Sequence, residues 1–471
     1  NRHMSYKFAI ESAKVLATYG IKSYIFESLR PTPELSFAVR YLKCAGGIMI
    51  TASHNPKEHN GYKVYDDTGC QLLPEAADQV VQYVNEVEDE LNIKVFSDEE
   101  AYPYMTWIGE EVDEAYYKEV MAIEVNPGMD KSDFKIVFSP QHGTSNIAVR
   151  TCLTRLGYDL VPVLAQCAPD PDFSNTKSPN PEVPASYELA IKKAKEVDAD
   201  VVVITDPDGD RLGVVAKHNG EYVLMSGNQS AAVYLEYILS QMKEKGTLPD
   251  NAVMYNTIVT SDLGELVARS YGVDVEKTLT GFKFIGDKIR KYEQTHEKTF
   301  VFGYEESYGC VIKDFVRDKD AVQAVLTAAE AGNFYKKQGK DLVDVLNELY
   351  AKHGTFKETQ IALSKAGAAG AARIKEIMDN LRKDAPQEIG GVKVVKVEDY
   401  GNSTCSDGTT IQLPKSNVLK YYLEDGSWIA ARPSGTEPKC KFYFSIKGSD
   451  ADDAASKTEV FHKAMMEIIG E

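Results

Sequence analysis

Short apolar runs alternate along the chain with longer segments in which apolar residues recur every three or four positions. The short runs lack polar alternation and are rich in Val, Ile and Phe, which is typical of strands buried on both faces of a sheet. The longer segments are typical of helices that cover such a sheet. The predicted strands include Ser23–Phe26, Ile48–Thr51, Ile136–Phe138, Val201–Thr205, Ala252–Asn256 and Phe300–Phe302. The predicted helices include Pro74–Leu91, with a stripe of Val80, Val84, Val87 and Leu91, as well as Ala185–Glu196 and Asp318–Gln338.

The rhythm changes after Ala366–Gly370, a run of small residues that we interpret as a hinge. Beyond it, the segments Val392–Tyr400, Thr409–Leu413, Val418–Leu423 and Ser427–Arg432 predict a meander of strands, and a helix closes the chain. Turn-forming residues also interrupt the pattern near residues 126–129 and 246–250. The predicted architecture is α/β, with three α/β domains of mixed, helix-covered sheets and a smaller α+β domain. Their predicted bounds are 1–130, 131–246, 247–366 and 367–471.

Charge and cysteine content limit the possible partners and compartment. The net charge of −18 argues against nucleic acid, because a polyanion needs a basic surface. No apolar run approaches the ~18 residues that a membrane span needs. The seven cysteines are scattered and odd in number, which favours reduced thiols and a cytoplasmic location. A targeting segment upstream of the given sequence would not be visible here.

A serine follows the predicted strand Ile48–Thr51, in the sequence Thr51-Ala52-Ser53-His54-Asn55-Pro56. A hydroxyl at the exit of a strand points into a loop region where function concentrates, and its oxygen can accept and return a group. Ser53 is therefore a candidate nucleophile.

Three carboxylates alternate in Asp206-Pro207-Asp208-Gly209-Asp210-Arg211, directly after the strand Val201–Thr205. Ligation by oxygen alone favours a hard cation. An EF-hand is excluded because its sixth loop position would be Arg211 and its twelfth Lys217. We expect Mg²⁺, although a turn capped by aspartates is the simpler alternative.

A further loop carries groups suited to sugars. Gly303–Gly309 contains adjacent carboxylates beside a hydroxyl, which suit the acceptance of hydrogen bonds from neighbouring sugar hydroxyls. A solvated acidic loop explains the same residues equally well. Downstream, Lys319 lies at a predicted helix start and is a candidate proton donor or acceptor, with a surface ion pair as the commoner outcome.

The segment Arg432–Lys439 has the composition of a phosphate-binding loop, with an arginine fork, two hydroxyls and a glycine. It lacks the GxxxxGK[ST] pattern of a P-loop, and a plain turn remains the alternative. Thr280–Gly286 adds Lys283 on a loop bracketed by glycines, which a simple strand-to-helix connection also explains.

These four spaced loops, in this order, resemble the α-D-phosphohexomutases, nearest to the phosphoglucomutase/phosphomannomutase branch. The resemblance covers essentially the whole chain. It implies four domains around a central cleft, the last similar to a TATA-box-binding-like fold. Family chains carry a strand and an arginine-bearing loop ahead of the point where this sequence begins, so we expect an incomplete first domain and a longer natural protein.

The resemblance also implies roles for individual residues. Ser53 would carry a phosphoryl group and, with Asp206, Asp208 and Asp210, would hold Mg²⁺. His54 and Lys63 would join Ser53 in the catalytic group, with Lys319 as the preferred general acid or base. The implied substrate-binding residues are Arg211, Lys283, Glu305, Glu306 and Ser307, and for the non-reacting phosphate Arg432, Ser434, Gly435 and Thr436.

The resulting hypothesis is a mutase that interconverts glucose 1-phosphate and glucose 6-phosphate, with glucose 1,6-bisphosphate as intermediate and activator. The order Glu305-Glu306-Ser307 is similar to glucose-type loops, and mannose and pentose phosphates are the alternatives. A metal-dependent phosphoserine phosphatase is a second class, disfavoured by the lack of paired histidines, and a non-catalytic sugar-phosphate binder is a third. We expect a monomer or weak dimer that binds small-molecule sugar phosphates.

Overall fold

The computed structural model describes residues 2–434 and 438–471. These residues form two compact units. The first contains residues 2–256, 271–276 and 281–345, and the second contains residues 257–270 and 277–280 together with the chain from residue 346 onward.

The amino-terminal part of the first unit contains two short pairs of strands with helices beside them. In chain order its elements are α1 (Ser5–Thr18), β1 (Ser23–Phe26), α2 (Thr32–Tyr41), β2 (Gly46–Ile50), β3 (Tyr62–Asp66), α3 (Pro74–Asn85), α4 (Asp98–Ala101), β4 (Met105–Ile108) and α5 (Glu110–Met121). Strand β1 pairs in parallel with β4, and β2 pairs antiparallel with β3. The loop between β2 and β3 carries Ser53, the candidate nucleophile.

The next elements build a five-stranded mixed sheet. They are β5 (Lys135–Ser139), α6 (Asn146–Arg155), β6 (Asp159–Pro162), α7 (Glu188–Val197), β7 (Val201–Thr205), β8 (Leu212–His218), β9 (Glu221–Met225) and α8 (Gly227–Glu244). The strand order is β6-β5-β7-β8-β9, with β5 parallel to both β6 and β7, and antiparallel pairing from β7 to β9. Every residue of β7 is buried, as expected for a central strand.

A four-stranded sheet follows, in the order β11-β10-β12-β13. Its segment contains β10 (Ala252–Thr257), α9 (Asp262–Ser270), β11 (Asp274–Thr278), α10 (Phe282–Thr295), β12 (Thr299–Tyr304), β13 (Cys310–Val311), α11 (Ala321–Lys336) and α12 (Leu342–His353). Strands β12 and β13 pair antiparallel, so residues 305–309 form the tight connection between them. Helix α11 begins after Asp320, whose carboxylate accepts hydrogen bonds from two amides of the first turn.

The carboxyl-terminal sheet of the second unit is antiparallel, with the order β14-β20-β19-β18-β16-β15 and β17 paired to β16. The elements are β14 (Thr355–Ser364), α13 (Gly367–Lys383), β15 (Glu388–Ile389), β16 (Val392–Asp399), β17 (Thr404–Cys405), β18 (Leu419–Leu423), β19 (Trp428–Pro433), β20 (Lys439–Gly448) and α14 (Ala451–Ile469). Side chains from this sheet, α13 and α14 form one apolar core. The expected meander with a closing helix is thus present, with β14 as an additional strand along β20.

The structure also corrects three sequence-based expectations. Thr409–Leu413 is not a strand, and among the described residues its ladder contact is an isolated bridge between Thr404 and Thr410. The predicted hinge Ala366–Gly370 stays a prediction, and it lies at the start of α13, which begins at Gly367. Helix α3 ends at Asn85 and buries no residue. Its apolar stripe therefore predicts the helix but does not mark a buried face. Strands β1 and β2 are only partly buried, unlike β7 and β10.

Among the described residues, no helix combines the length and the apolar character needed to cross a bilayer. The cysteines are free thiols, as expected, and none forms a disulfide in the part of the chain that the structure describes.

Candidate functional site

The loop between β2 and β3, residues 51–61, holds Ser53 in a left-handed backbone conformation with φ of 51°. Such a conformation is uncommon for a residue with a side chain, and it costs on the order of 1 kcal/mol. The Ser53 amide donates to the Thr51 hydroxyl over 3.0 Å. The Thr51 amide in turn donates to the Gly61 carbonyl, which closes the base of the loop.

The Ser53 hydroxyl lies between a carboxylate and an imidazole. Its Oγ donates to Asp206 Oδ2 over 2.7 Å and lies 3.2 Å from His54 Nδ1. The pKa of His54 is lowered to about 3, first by burial and then by the nearby positive charge of Arg211. His54 is therefore a neutral imidazole at neutral pH, and can exchange a hydrogen bond with Ser53 without carrying charge.

The aspartate loop, residues 206–211, connects β7 to β8 and is almost completely buried. Carboxylate oxygens of Asp206, Asp208 and Asp210 lie within 4.8 Å of one another. Gly209 allows the tight turn, with φ of 70°. The amides of Asp210 and Arg211 each donate to Asp206 Oδ1 over 3.1 Å, which fixes that carboxylate.

This cluster fits a small hard cation. Asp208 Oδ1 and Asp210 Oδ1 are both buried without a hydrogen bond. Buried carboxylate oxygens without donors are costly unless a cation satisfies them, and oxygen ligands are those that Mg²⁺ prefers. The donor set therefore agrees with the expected Mg²⁺ site, to which the Ser53 hydroxyl is adjacent.

Two lysines from separate segments approach the aspartates. Lys63 Nζ in β3 lies 3.0 Å from Asp208 Oδ2 and 3.6 Å from Asp210 Oδ2. Lys319 Nζ, just before α11, lies 3.0 Å from Asp210 Oδ2. Burial lowers the pKa of both ammonium groups, but the facing carboxylates outweigh it, so that both pKa values are raised. Both lysines are consequently charged at neutral pH.

The same contacts shift the pKa values of Asp206 and Asp208 in opposite directions. Burial raises the pKa of Asp206 well above its usual range, and the negative charge of Asp208 adds to the rise. Burial acts on Asp208 in the same direction, but the charge of Lys63 overcomes it and holds that pKa below the usual range. Of Asp206 and Asp208, the carboxyl group that faces Ser53 is thus the one whose negative charge its surroundings stabilise less.

The sugar loop, residues 303–309, lies between β12 and β13. The Gly281 amide donates to Glu305 Oε1 over 2.7 Å, and the Glu305 amide donates to the Gly309 carbonyl. The amide of Leu212, at the end of the aspartate loop, donates to the Tyr308 carbonyl over 2.9 Å. The two loops are therefore joined directly, with Glu306 and Ser307 partly exposed between these anchors.

Arg211 and Lys283, both expected to bind substrate, flank these loops. Arg211 Nη1 donates to Glu182 Oε1 over 2.9 Å, while its Nε lies 3.9 Å from Asp210 Oδ1. Lys283 occupies the first turn of α10, and its Nζ lies 5.7 Å from the centre of the Phe284 ring. Arg211 therefore connects the aspartate loop, of which it is the last residue, to Glu182, whereas Lys283 lies on a separate helix after Gly281, whose amide binds Glu305.

The predicted phosphate loop lies in the second unit. Arg432 is paired in β19 opposite Lys441 of β20, and the Ser434 amide donates to the Lys439 carbonyl over 2.7 Å. Arg432 therefore lies near the carboxyl end of β19, and Ser434 directly follows that strand. Gly435 and Thr436 lie outside the described residues.

Several supporting residues were not expected from the sequence. Arg2 contacts the serine loop, and Tyr65 donates to Asp318 next to Lys319 over 2.7 Å. Tyr65 follows Lys63 by two positions in β3 and therefore faces the same side of the strand, a signal that the sequence did contain. Gly309 packs against Lys319, since an added Cβ would lie 2.1 Å from the lysine Cδ.

Comparison with known proteins identifies the family. The sequence matches four consecutive domain profiles, described as "Phosphoglucomutase/phosphomannomutase, alpha/beta/alpha domain I" at residues 1–91, domain II at 114–220, domain III at 226–353 and the C-terminal domain at 371–463. A phosphoglucomutase of Staphylococcus epidermidis is 39% identical over 97% of this chain and 83% of its own length. A phosphoglucomutase of Staphylococcus aureus is 40% identical over 97% of this chain and 82% of its own length.

Solved structures agree at the level of the fold. The open form of parafusin, a phosphoglucomutase of Paramecium, has a TM-score of 0.73 at 20% identity, over 100% of this chain and 87% of its own. N-acetylphosphoglucosamine mutase of Aspergillus fumigatus, solved with GlcNAc-6P and magnesium, has a TM-score of 0.56 at 14% identity, over 99% of both chains. Taken with the four domain profiles and the bacterial relatives, these matches mean that the chain belongs to the phosphoglucomutase/phosphomannomutase family, within the α-D-phosphohexomutases.

Proposed function

We propose that the chain is a phosphoglucomutase-type isomerase that interconverts glucose 1-phosphate and glucose 6-phosphate. Relatives about 39% identical over nearly the whole chain are phosphoglucomutases. The observation that carries the mechanism is the position of the Ser53 hydroxyl, 2.7 Å from Asp206 within the buried aspartate cluster.

Ser53 is the proposed phosphoryl carrier. In the first half-reaction, the bond between phosphorus and Ser53 Oγ breaks while a bond forms between phosphorus and the free hydroxyl oxygen of the sugar phosphate. The proton of that hydroxyl passes to a base near it. The product is glucose 1,6-bisphosphate, and its other phosphoryl group returns to Ser53 in the second half. Each half is a phosphoryl transfer in which positioning and charge neutralisation supply most of the catalysis.

Asp206, Asp208 and Asp210 are proposed to hold Mg²⁺ together with Ser53, and the unpaired oxygens of this cluster support that assignment. When bound, the cation neutralises charge on the phosphoryl oxygens. The N-acetylphosphoglucosamine mutase of Aspergillus fumigatus was solved with magnesium, and a serine-to-alanine form of it was solved with glucose 1,6-bisphosphate. We propose the same bisphosphate as intermediate and activator here.

Lys319 is proposed to protonate Ser53 Oγ as the phosphoryl group leaves, and to recover that proton on its return. Its raised pKa supports the acid form. Lys63, which pairs with Asp208 and Asp210, is proposed to contribute positive charge towards the transferring group. The neutral His54 completes the hydrogen bonding of the Ser53 oxygen.

The remaining assignments follow the family. Glu305, Glu306 and Ser307 are proposed to accept and donate hydrogen bonds to sugar hydroxyls, with Arg211 and Lys283 near the reacting end. Residues proposed to hold the non-reacting phosphate are Arg432, Ser434, Gly435 and Thr436. The domain bounds 1–130, 131–246, 247–366 and 367–471, a cytoplasmic location and a monomer or weak dimer likewise stay proposals.

A coupled assay with glucose 1-phosphate, primed with glucose 1,6-bisphosphate, tests this function. We expect glucose 6-phosphate to form without release of inorganic phosphate in bulk. Release of phosphate would instead favour the phosphatase, and a preference of tenfold or more for mannose 1-phosphate would overturn the substrate assignment. Binding without turnover would indicate the non-catalytic alternative.

A further inference from the structure

We propose that Arg2 is the positioning residue for Ser53. Its guanidinium holds the backbone of the serine loop in the conformation that directs the Ser53 hydroxyl towards Asp206. Arg2 lies outside the four loops that carry the family resemblance, and the family comparison assigns it no role. The inference rests on the proposed function of Ser53 as phosphoryl carrier.

The first observation is the set of acceptors that Arg2 binds. The residue exposes only 4% of its surface, and its hydrogen bonds go to backbone carbonyls of the serine loop. Nη1 donates to the carbonyl of Pro56 over 2.9 Å and to that of His59 over 3.4 Å. Nη2 donates to the carbonyls of Ala52, over 3.3 Å, and Ser53. The guanidinium therefore binds carbonyls at two places in the loop, at residues 52–53 and at residues 56 and 59.

The second observation is how these bonds connect the loop to itself. The Ala52 carbonyl also accepts from the Asn55 amide, and the Pro56 carbonyl also accepts from the His59 amide. Arg2 thus joins two successive turns, each closed by its own backbone hydrogen bond. Five donors in a rigid plane can satisfy several carbonyls at once, whereas a lysine ammonium offers a single point of charge.

The guanidinium is itself held in place. Its central carbon lies 4.9 Å from the centre of the buried Phe173 ring, which is the geometry of a cation–π contact. The Arg2 guanidinium that binds the serine loop is therefore itself positioned by Phe173, a residue outside that loop.

Ser53 requires such support because its backbone is left-handed. In that conformation its carbonyl reaches Arg2, while its hydroxyl reaches Asp206 over 2.7 Å. A return of Ser53 to the ordinary range of φ would remove the carbonyl from Arg2 and the hydroxyl from the aspartates together. Arg2 therefore couples the backbone conformation to the position of the reacting oxygen.

The consequence for the reaction is selective. Arg2 contacts Ser53 through the carbonyl and not through Oγ, so it acts on the transfer step and not on sugar binding. A misplacement of about 1 Å at a reacting oxygen costs on the order of a hundredfold in rate. Loss of the clamp should lower kcat and leave KM nearly unchanged.

The test compares the wild-type chain with Arg2→Lys, which keeps the charge and removes the planar fork. We expect kcat for glucose 1-phosphate to fall about 30- to 100-fold, with KM within about twofold of wild type. Phosphoryl loss from Ser53 to water should rise relative to transfer to sugar. The matched control is Arg155→Lys, whose guanidinium binds Glu114 at the surface and whose kinetics should not change.

Folding is separated from positioning by dividing turnover by the amount of phosphorylated Ser53, measured by intact mass. Restoration of kcat when guanidinium ion, well below denaturing concentrations, is added to Arg2→Ala would support the clamp. A normal kcat per phosphoserine in Arg2→Lys would overturn the proposal. If Arg2→Lys does not fold, Phe173→Leu replaces it in the test. We expect the same loss in kcat with an unchanged KM. An unchanged kcat would contradict the positioning role of Arg2.

Amide exchange in the serine loop can be measured without turnover, and it therefore tests the role of Arg2 separately from the proposed mutase activity. In Arg2→Lys, the amides of Asn55 and His59 should exchange with solvent at least about tenfold faster than in wild type, while β2 and β3 are unaffected. Unchanged exchange in the loop would overturn the positioning role. A wild-type chain without mutase activity would overturn the proposed function, and loop exchange would still decide the role of Arg2.

Discussion

The hydroxyl of Ser53 and the carboxyl group of Asp206 lie 2.7 Å apart, although 153 positions separate them in the sequence. The first residue follows an antiparallel hairpin strand and the second follows a central, fully buried strand of another sheet. Their contact joins the proposed phosphoryl carrier to the proposed metal ligands. It also makes the chemistry of either residue sensitive to changes in the other.

Replacing Ser53 by alanine should abolish phosphorylation and turnover together. We expect a loss of more than about a thousandfold in kcat/KM, because the variant lacks the hydroxyl that is proposed to carry the phosphoryl group. Intact mass after incubation with glucose 1,6-bisphosphate should show one phosphate in wild type and none in Ser53→Ala. Ser97→Ala, which removes an exposed helix cap, is the control and should keep both the phosphate and the activity.

Lys319→Met should lower kcat by about 10²- to 10⁴-fold, the usual contribution of a general acid or base. The side chain of methionine fills similar space but offers no proton to Ser53. The control Lys336→Met removes a surface lysine that pairs with Asp200 over 2.7 Å, and should leave kcat within about twofold. Equal activity of both variants would remove Lys319 from the mechanism.

Gly309→Ala should imitate the loss of Lys319 without removing any charged group. Its Cβ would lie 2.1 Å from the lysine Cδ, so the lysine side chain must move away from Asp210. We expect kcat to fall by about tenfold or more while KM changes little. Gly128→Ala is the matched control, since its Cβ would meet nothing within 4 Å. A normal kcat in Gly309→Ala would mean that the position of Lys319 is unimportant.

Asp206→Asn should uncouple stability from magnesium. At 100 times its dissociation constant, Mg²⁺ should stabilise the wild type by about 2.7 kcal/mol, and the variant should lose most of this effect. Without metal, the variant should be as stable as wild type or more so, because burial and Asp208 disfavour the Asp206 charge. Thermal unfolding with EDTA and with Mg²⁺ measures both. The control Asp344→Asn changes the separate His218, Asp341 and Asp344 cluster and should keep the magnesium shift.

Lys420 gives the second unit a specific pH dependence. Its side chain is fully buried, donates to the Ile258 carbonyl and lies 3.9 Å from the centre of the Trp428 ring. Burial, and then the charge of Lys277, lower its pKa to about 7. Between pH 7 and about 10.4, the unfolded chain therefore binds more protons than the folded one, and this residue's contribution makes stability rise with pH.

Removing the charge at this position tests that expectation. Lys420→Met should raise the melting temperature at pH 6 relative to wild type, and the gain should shrink as the pH rises from 7 to 10. The control Lys447→Met, which replaces a half-buried lysine near Phe356, should show no such trend. A pH-independent difference between Lys420→Met and wild type would contradict the proposed titration.

Much of this architecture follows from the sequence, because buried strands and amphipathic helices have different periods. β7 and β10 are buried runs that admit few other interpretations. The apolar stripe of α3 has the 3.6-residue period of a helix, but such a period does not identify the residues that pack against the helix. Thr409–Leu413 has the composition of a strand but gains only one bridge, because pairing depends on a partner elsewhere in the chain.

The site follows the same division. Ser53 and the aspartates were predictable, since hydroxyls and carboxylates at the ends of strands are suited to phosphate and metal. The contact of Lys63 with Asp208, and that of Arg2 with the serine loop, depend on how distant segments pack. No local pattern encodes such distances. The predicted roles of these residues therefore need the experiments above, whereas their positions are now defined.

The two ammonium groups beside the aspartates make the cluster nearly self-neutral before any ion arrives. Lys63 and Lys319 each lie 3.0 Å from a carboxylate oxygen that a divalent ion would also use. In the proposed mechanism, a cation that binds there competes with both lysines for these oxygens, and the phosphoryl group offers the lysines another anion. Binding of the cation and of phosphate would then be thermodynamically linked, each strengthening the other by the same factor. Such linkage would disfavour the states in which only the cation or only the phosphate is bound. A phosphorylated Ser53 without its neutralising cation, exposed to attack by water, would then be rare.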